Sequence, residues 1–171
     1  MNFTATIEKF EKNLWDYHFI VPEEIATRYW NELKTRRVIC TFNESLKIHC
    51  ALHSTGLGEY YIILNKANRK IISANLGSEI KVLLEEDKSK YGIHCPEEMK
   101  ELQCLDYEGE QLFHQLSPGK QRSLLHIVGK IKSSDLRIRK SMVILDYLKE
   151  NNGALDFKEL NEAFKVANSR Y

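Results

Sequence analysis

The chain is short of the residues that punctuate or cross-link small folds. It has three prolines and eight glycines in 171 residues, and neither type is gathered into a low-complexity linker. It has four cysteines, Cys40, Cys50, Cys95 and Cys104, with no Cys-x-x-Cys pair. The N-terminus, Met-Asn-Phe-Thr, alternates polar with apolar and does not read as a secretory leader. Free thiols in a reducing cytoplasm are therefore expected rather than a disulfide framework. No apolar run approaches the ~20 residues that a membrane-spanning helix needs, so no membrane association is expected. Neither sign of charge is in excess: 25 Lys and Arg against 24 Asp and Glu give a formal net charge of +1. No global field draws the chain to nucleic acid or membrane, and an electrostatic partner has to be recognised by a local patch.

Familiar catalytic patterns are missing as well. There is no Gly-x-Ser-x-Gly elbow and no phosphate-binding Gly-x-x-x-x-Gly-Lys. Gly56-Leu57-Gly58 lacks the third glycine and the following helix of a dinucleotide loop. His49 and His53 are expected on one strand face, ~13 Å apart at ~3.3 Å per residue, too far to share a metal. His94-Cys95 lacks spaced partners. The carboxylates between Glu85 and Glu110 are spaced like a solvated face, not an acid–base pair. No catalytic residue, metal or cofactor is therefore assigned.

What is present is ordinary globular material. At 43% hydrophobic and 29% charged, a chain of this length buries roughly 70% of its unfolded surface and needs no covalent staples. Phe3, Ala5, Ile7 and Lys9 alternate with Thr4, Thr6 and Glu8, which predicts a strand. Asn13 marks a turn, and Leu14 to Val21 reads as a second strand pairing with the first. Pro22-Glu23-Glu24 opens a helix with Ile25, Tyr29 and Leu33 on one face. Arg36 to Phe42 and Leu46 to His53 form a hairpin through Asn43-Glu44-Ser45. A symmetric turn sets Cys40 opposite Ile48 and not Cys50. Glu59 to Asn65 is apolar on both faces and suits a central strand. Lys66 to Ser73 is a short irregular or helical link, and Glu79 to Glu85 is a strand with Ile80, Val82 and Leu84 inward.

Beyond the strands the character changes. Glu85 to Gln111 holds nine carboxylates against three lysines, with a helix opening at Pro96 and burying Met99, Leu102 and Leu105. Ser117-Pro118-Gly119 breaks the chain, and the next helix has Leu124, Ile127 or Val128, and Ile131 at helical spacing. Gly129 in that helix suggests close packing. Ser134 is read as the cap of the next helix, whose stripe is Ile138, Met142, Leu145 and Leu148, with Asp135 and Arg139 as an i, i+4 pair. Asn151-Asn152-Gly153 ends it. Asp156, Glu159, Leu155 and Leu160 spell a capping box and staple for a last helix, docked by Phe157, Leu160, Phe164 and Ala167.

From Ser117 to Glu150 there are eight Lys or Arg against three acids. Lys132, Arg137, Arg139 and Lys140 flank the Ser133-Ser134-Asp135 junction, and they are the candidate anion-binding residues. Asp135 opposes that reading by already placing a negative charge there. The competing account is that Lys132 and Arg137 pair with acids of the Glu85 to Gln111 region and only hold the helices onto the barrel.

Up to about Lys149 the chain resembles the bacterial family of uncharacterised proteins called YdeI or OmpD-associated. The resemblance rests on Pro22 after the second strand, Gly58 with Tyr60, Gly77 ahead of Ile80 and Val82, and Pro96 opening a helix. It continues in Phe113 with Leu116-Ser117-Pro118 and in the series Lys132, Arg137, Arg139 and Lys140. The chain departs from the family at Gly77-Ser78, where Gly-Asp is usual, and at Ile127 and Ile131, where an aromatic and an alanine are common. The resemblance implies a split β-barrel, loosely akin to the swapped barrels of AbrB-like proteins, and then helices. It implies no established activity, only suggested stress or bacteriocin tolerance.

The expected fold class is α+β. A small split β-barrel of six or seven strands with a crossing helix occupies residues 1–93, and a C-terminal helical segment occupies 94–171. The expected function is a non-enzymatic cytoplasmic binding module, with an anionic small molecule or an acidic partner as the class its basic residues suit. The alternatives are a nucleic-acid-associated regulator with an AbrB-like barrel and a small-molecule enzyme with a site between barrel and helices.

Overall fold

Strict alternation puts Val38, Cys40 and Phe42 on one side of a strand and Ile80, Val82 and Leu84 on one side of another. All six are buried in one cluster. In the computed structural model, which describes residues 1–10 and 17–169, the chain divides into two compact units, Met1–Gly92 and Ile93–Tyr171. The protein is α+β, with two antiparallel sheets in the first unit and the longer helices in the second.

The first unit contains β1 (Asn2–Thr6), β2 (Glu8–Lys9), β3 (Tyr17–Val21), α1 (Glu23–Thr27), β4 (Arg37–Phe42), β5 (Leu46–Ala51), β6 (His53–Ser54), β7 (Tyr60–Ile63), α2 (Lys66–Ile71) and β8 (Glu79–Glu86). One sheet has the order β1-β8-β4-β5 and the other β2-β3-β7-β6. The β4–β5 register places Cys40 opposite Ile48, as the symmetric turn predicts. That turn uses positive φ at Asn43 (47°) and Glu44 (58°), and the Ser45 N–H donates to the Phe42 carbonyl at 2.9 Å. Asn43 suits the position because it tolerates the left-handed region and its side chain also bonds locally. Its Oδ1 accepts from the Lys81 N–H and its own N–H donates to the Lys81 carbonyl, each at 2.9 Å, so the turn is pinned to β8.

Several expectations need correction here. The strand expected over Leu46 to His53 breaks at Leu52, and β6 joins the other sheet. His49 and His53 therefore do not share a strand. Among the described residues the first two expected strands pair over two residues, Glu8 with His18 and Lys9 with Tyr17, while β1 takes β8 as its partner. The helix after Pro22 is one α-turn followed by a π-helical turn, Arg28–Glu32. Tyr29 is buried as expected, together with Ala26, while the wider π turn carries Leu33 off that face and leaves it exposed. The Tyr29 hydroxyl donates to the Leu84 carbonyl at 3.2 Å, and burial pushes its pKa up. Asn13 and Leu14 to Asp16 lie outside the described residues.

The second unit contains α3 (Glu97–Leu105), α4 (Tyr107–Gln115), α5 (Pro118–Gly129), α6 (Ser134–Glu150) and α7 (Phe157–Ser169). Of the expected stripe on α6, Leu145 and Leu148 are buried, and Ile138 and Met142 are not. Ser141, Ile144, Leu145, Tyr147 and Leu148 are buried, whereas Met142 is 48% and Ile138 37% exposed. On α5 the inward residues are Leu124, Leu125 and Val128. On α3 Met99 is buried as expected, together with Gln103, whereas Leu105 is 84% exposed. Ser133, not Ser134, caps α6 by accepting from the Leu136 N–H. Asp156 Oδ1 caps α7 by accepting from Lys158 N and Glu159 N at 2.7 and 3.1 Å. The Glu159 carboxylate does not close the box on Asp156. It accepts from the Tyr147 hydroxyl at 2.9 Å, and that hydroxyl accepts from the Asp156 N–H at 3.4 Å. Leu160 and Phe164 dock α7, each worth about 1.5–3 kcal/mol at most when fully buried, while Phe157 is exposed.

The helix α4 falls in the stretch read only as acidic. Asp106 caps it by accepting from Gly109 N at 2.9 Å. Gly109 is where the close approach lies: a Cβ there would sit 2.7 Å from Asp106 Oδ2 and 3.0 Å from Leu145 Cβ on α6. Gly129, read as the packing glycine, has only Pro96 Cγ near, at an ordinary 3.7 Å. The two glycines should therefore separate on mutation. Gly109→Ala should cost about 1–3 kcal/mol in equilibrium unfolding. Gly129→Ala should be neutral or stabilising by up to about 1 kcal/mol. The opposite ranking would refute the α4–α6 packing described.

Candidate functional site: the basic residues of the helical unit

The four candidate residues fall into two places. Arg137 lies in the first turn of α6, where its guanidinium reaches back to the C-terminal end of α5. Its Nη1 donates to the Ile131 carbonyl at 2.9 Å and the Lys132 carbonyl at 3.2 Å. Its Nη2 donates to Glu98 Oε1 at 2.6 Å, and the Ser134 hydroxyl donates to the same oxygen at 2.7 Å. The planar fork lets one side chain tie α3, the α5–α6 junction and α6 together. Arg137 and then Ser134 hold the Glu98 carboxyl down to about 2. Glu98 belongs to the acidic stretch, so Arg137 does pair with an acid of that stretch, but the pair lies within the helical unit and ties its helices to one another. Lys132 is exposed beside the junction.

Arg139 and Lys140 lie further along α6 and line a groove between α6 and α7. Met142, Val143, Asp146, Phe164, Ala167 and Asn168 complete it, and its volume is about 230 Å³. Lys140 is half-buried, with Nζ 4.0 Å from the centroid of the Phe164 ring. The ring's negative face attracts the ammonium and holds the long side chain across α7. Arg139 is exposed. The structure thus brings Arg139 and Lys140 together at one groove and sets Arg137 and Lys132 apart at the junction.

At the other end of α6, Lys149 Nζ meets Asp106 Oδ2 at 2.7 Å and Asp146 Oδ1 at 3.0 Å. Asp106 first and Asp146 second raise the Lys149 pKa. This pair joins the cap of α4 to α6, so a second acid of the Glu85 to Gln111 stretch is used within the unit.

The first unit holds a polar cluster that the sequence reading passed over. His49 Nδ1 lies 2.8 Å from Asp87 Oδ2, and the Asp87 side chain is fully buried. Asp87 Oδ1 accepts from Ser89 N at 3.0 Å and Ser89 Oγ at 2.5 Å. Burial pulls the Asp87 pKa up, but the hydrogen bonds from Ser89 and His49 outweigh it and leave it below the usual value. The only sequence signal was an outward histidine on a strand and one aspartate in an acidic run. A larger groove of about 610 Å³ opens beside Thr4, Thr41, Glu44 and Lys81 in the same unit. Among the described residues no group of three His, Cys, Asp or Glu is placed to hold a metal ion. No helix among them is long and apolar enough to cross a membrane.

Residues 3–84 match the family model described as Domain of unknown function (DUF1905). No curated protein and no solved structure gives a significant match. The matched span runs from β1 into β8, so the helical unit with its basic residues lies beyond it.

The Glu98 contact sets a pH signature. The carboxyl titrates near 2 in the folded chain instead of at its ordinary 4.5. A folded value below the unfolded one stabilises the fold at pH above the unfolded value. That contribution is lost as pH falls through about 2. Carbon-detected NMR of the Glu98 side chain should show a midpoint well below the other exposed glutamates. Arg137→Ala should return it toward 4.5. An ordinary midpoint in the parent would mean that the contact does not persist in solution.

Proposed function

We propose that this chain is a non-enzymatic binding module whose helical unit receives an anionic ligand at Arg139 and Lys140. The observation that carries the reading is the groove itself: two cations, one fixed over Phe164, stand beside an apolar floor of Met142 and Val143. Of the four basic residues first considered, Lys132 and Arg137 serve the junction on this reading, and Arg139 and Lys140 serve the ligand. Charge-assisted contacts fix an anion, and the apolar floor supplies the desolvated surface that gives such contacts their strength.

The same proposal treats residues 1–93 as the YdeI-like split β-barrel and 94–171 as the OmpD-associated helical segment. The barrel reading is supported by one buried cluster that draws on both sheets, with Phe19 and Ile62 from one and Phe42 and Val82 from the other. It is supported further by the short β2 and β6 at the ends of their sheet. The reading places this module in the cytoplasm, in keeping with four cysteines that form no disulfide.

A thermal-shift screen of anionic compounds tests the binding reading, using inorganic phosphate, 4-phenylbutyrate and acidic peptides. At least one class should raise the melting temperature, by about 2.7 kcal/mol of added stability at a hundredfold excess over Kd. Arg139→Ala with Lys140→Ala should abolish the shift, while Lys132→Ala should leave it. If no anion stabilises the parent, or the double variant responds as the parent does, the groove is not an anion site.

A further inference from the structure

The β unit holds two cations that meet at one aromatic ring. Lys9 on β2 and Tyr17 on β3 are register partners. Arg69 comes from the last turn of α2. Its guanidinium carbon lies 3.5 Å from the centre of the Tyr17 ring, and Lys9 Nζ lies 5.7 Å from the same centre. Tyr17 is half-buried and packs against the core cluster, so the ring is a fixed platform. Its negative face attracts both cations and gathers them there.

Neither cation is matched by an acid among the described residues. Arg69 Nε is shut off from solvent and has no hydrogen-bond acceptor. Glu8, beside Lys9 on β2, faces the opposite side of the strand, where its Oε2 lies 3.8 Å from His18 Nε2. The stretch from Leu64 to Ser78 that carries α2 holds Lys66, Arg69 and Lys70 and no Asp or Glu. In the helical unit, by contrast, Arg137 and Lys149 are each met by a carboxylate. A cation that has lost part of its water and gained no acceptor is costly to hold. The missing acceptor at Arg69 is the observation that points to a ligand.

We infer that Arg69 and Lys9 form an anion site of the β unit that takes the phosphoryl group of a small phosphate monoester. Charge selects the anion. Two cations with no acid beside them match a dianion, and a phosphate monoester carries about −1.5 to −2 at neutral pH, where a carboxylate carries a single charge. Donor geometry agrees. The two Nη groups of Arg69 offer a planar edge to two phosphate oxygens, and Lys9 adds a point charge on a flexible stem. Tyr17 already holds the guanidinium, so less freedom is lost when the anion arrives. All three residues fall within the matched residues 3–84, unlike Arg139 and Lys140.

Isothermal titration calorimetry of the full chain with phenyl phosphate tests the inference. The ligand should bind saturably, and benzoate should bind at least about tenfold more weakly, having one charge fewer. Affinity should fall as pH drops through about 6, where the monoester takes up its second proton. Arg69→Gln should weaken phenyl phosphate at least about tenfold, and Arg69→Lys, which keeps the charge without the fork, should recover part of the loss. Lys9→Gln should weaken it by about threefold or more, and Lys66→Gln, an exposed base on the same helix, by less than about twofold. Tyr17→Leu should weaken binding and Tyr17→Phe should not, because the ring face does the holding. Circular dichroism melts confirm that each variant is folded. The inference is overturned if phenyl phosphate does not bind saturably, if benzoate binds as tightly, or if Arg69→Gln binds as the parent does. It is overturned equally if a single-stranded DNA oligomer binds through Arg69 while phenyl phosphate does not. Binding that survives Arg69→Gln and is lost in Arg139→Ala with Lys140→Ala belongs to the α6–α7 groove and also sinks it. Inorganic phosphate can raise the melting temperature through either site, so the groove's response to it is read in Arg69→Gln, and the two readings fail separately.

Discussion

The Arg137 guanidinium can face only one way, and the helical unit depends on that choice. Its fork gives hydrogen bonds to Glu98 and to two carbonyls at the end of α5. A charge so engaged is costly to redirect, because removing either partner strands the other partly desolvated. Lys149 makes the equivalent tie to Asp106 at the far end of α6. Two acids of the stretch before α5 are thereby matched with two bases of α6. The acidic Glu85 to Gln111 stretch and the basic Ser117 to Glu150 stretch nearly cancel in charge. Arg139 and Lys140 line a groove between α6 and α7 instead.

The β unit reaches its order differently. Its two sheets share one core of Phe19, Phe42, Ile62, Val82 and their neighbours, and register is held by alternation that a one-residue slip would invert. Polar side chains enter at the margins, where Asn43 pins the hairpin turn to β8 and Asp87 with His49 anchors the segment after β8. This is the unit that carries the DUF1905 match. Its fold therefore has relatives, while Arg139 and Lys140 lie outside the matched span.

Alternation and capping were readable because each depends on a few neighbours in sequence. The Cys40–Ile48 register, the inward faces of β4 and β8, and the cap Asp156 follow from local rules. What escaped depends on distant partners. Helix α4 has an unremarkable acidic sequence, and its Gly109 matters only because Leu145 lies against it. The π turn after α1 shifted the buried face away from Leu33, and no propensity signals that shift. Ile138 and Met142 look like a core stripe because they are apolar at helical spacing, yet α7 packs on the neighbouring face and leaves them exposed. The cluster Lys132, Arg137, Arg139 and Lys140 was visible as a cluster. Its division between Glu98 on one side and Phe164 on the other required the helices to be in place.

The division of labour between Arg137 and the Arg139–Lys140 pair is the central claim, and melting temperatures of single alanine variants at these three positions test it most directly. Arg137→Ala should lower the melting temperature clearly more than Arg139→Ala or Lys140→Ala, and its deficit should shrink in Arg137→Ala with Glu98→Gln, where the stranded carboxylate is also gone. Equal losses at all three positions, or no loss at Arg137, would contradict the account.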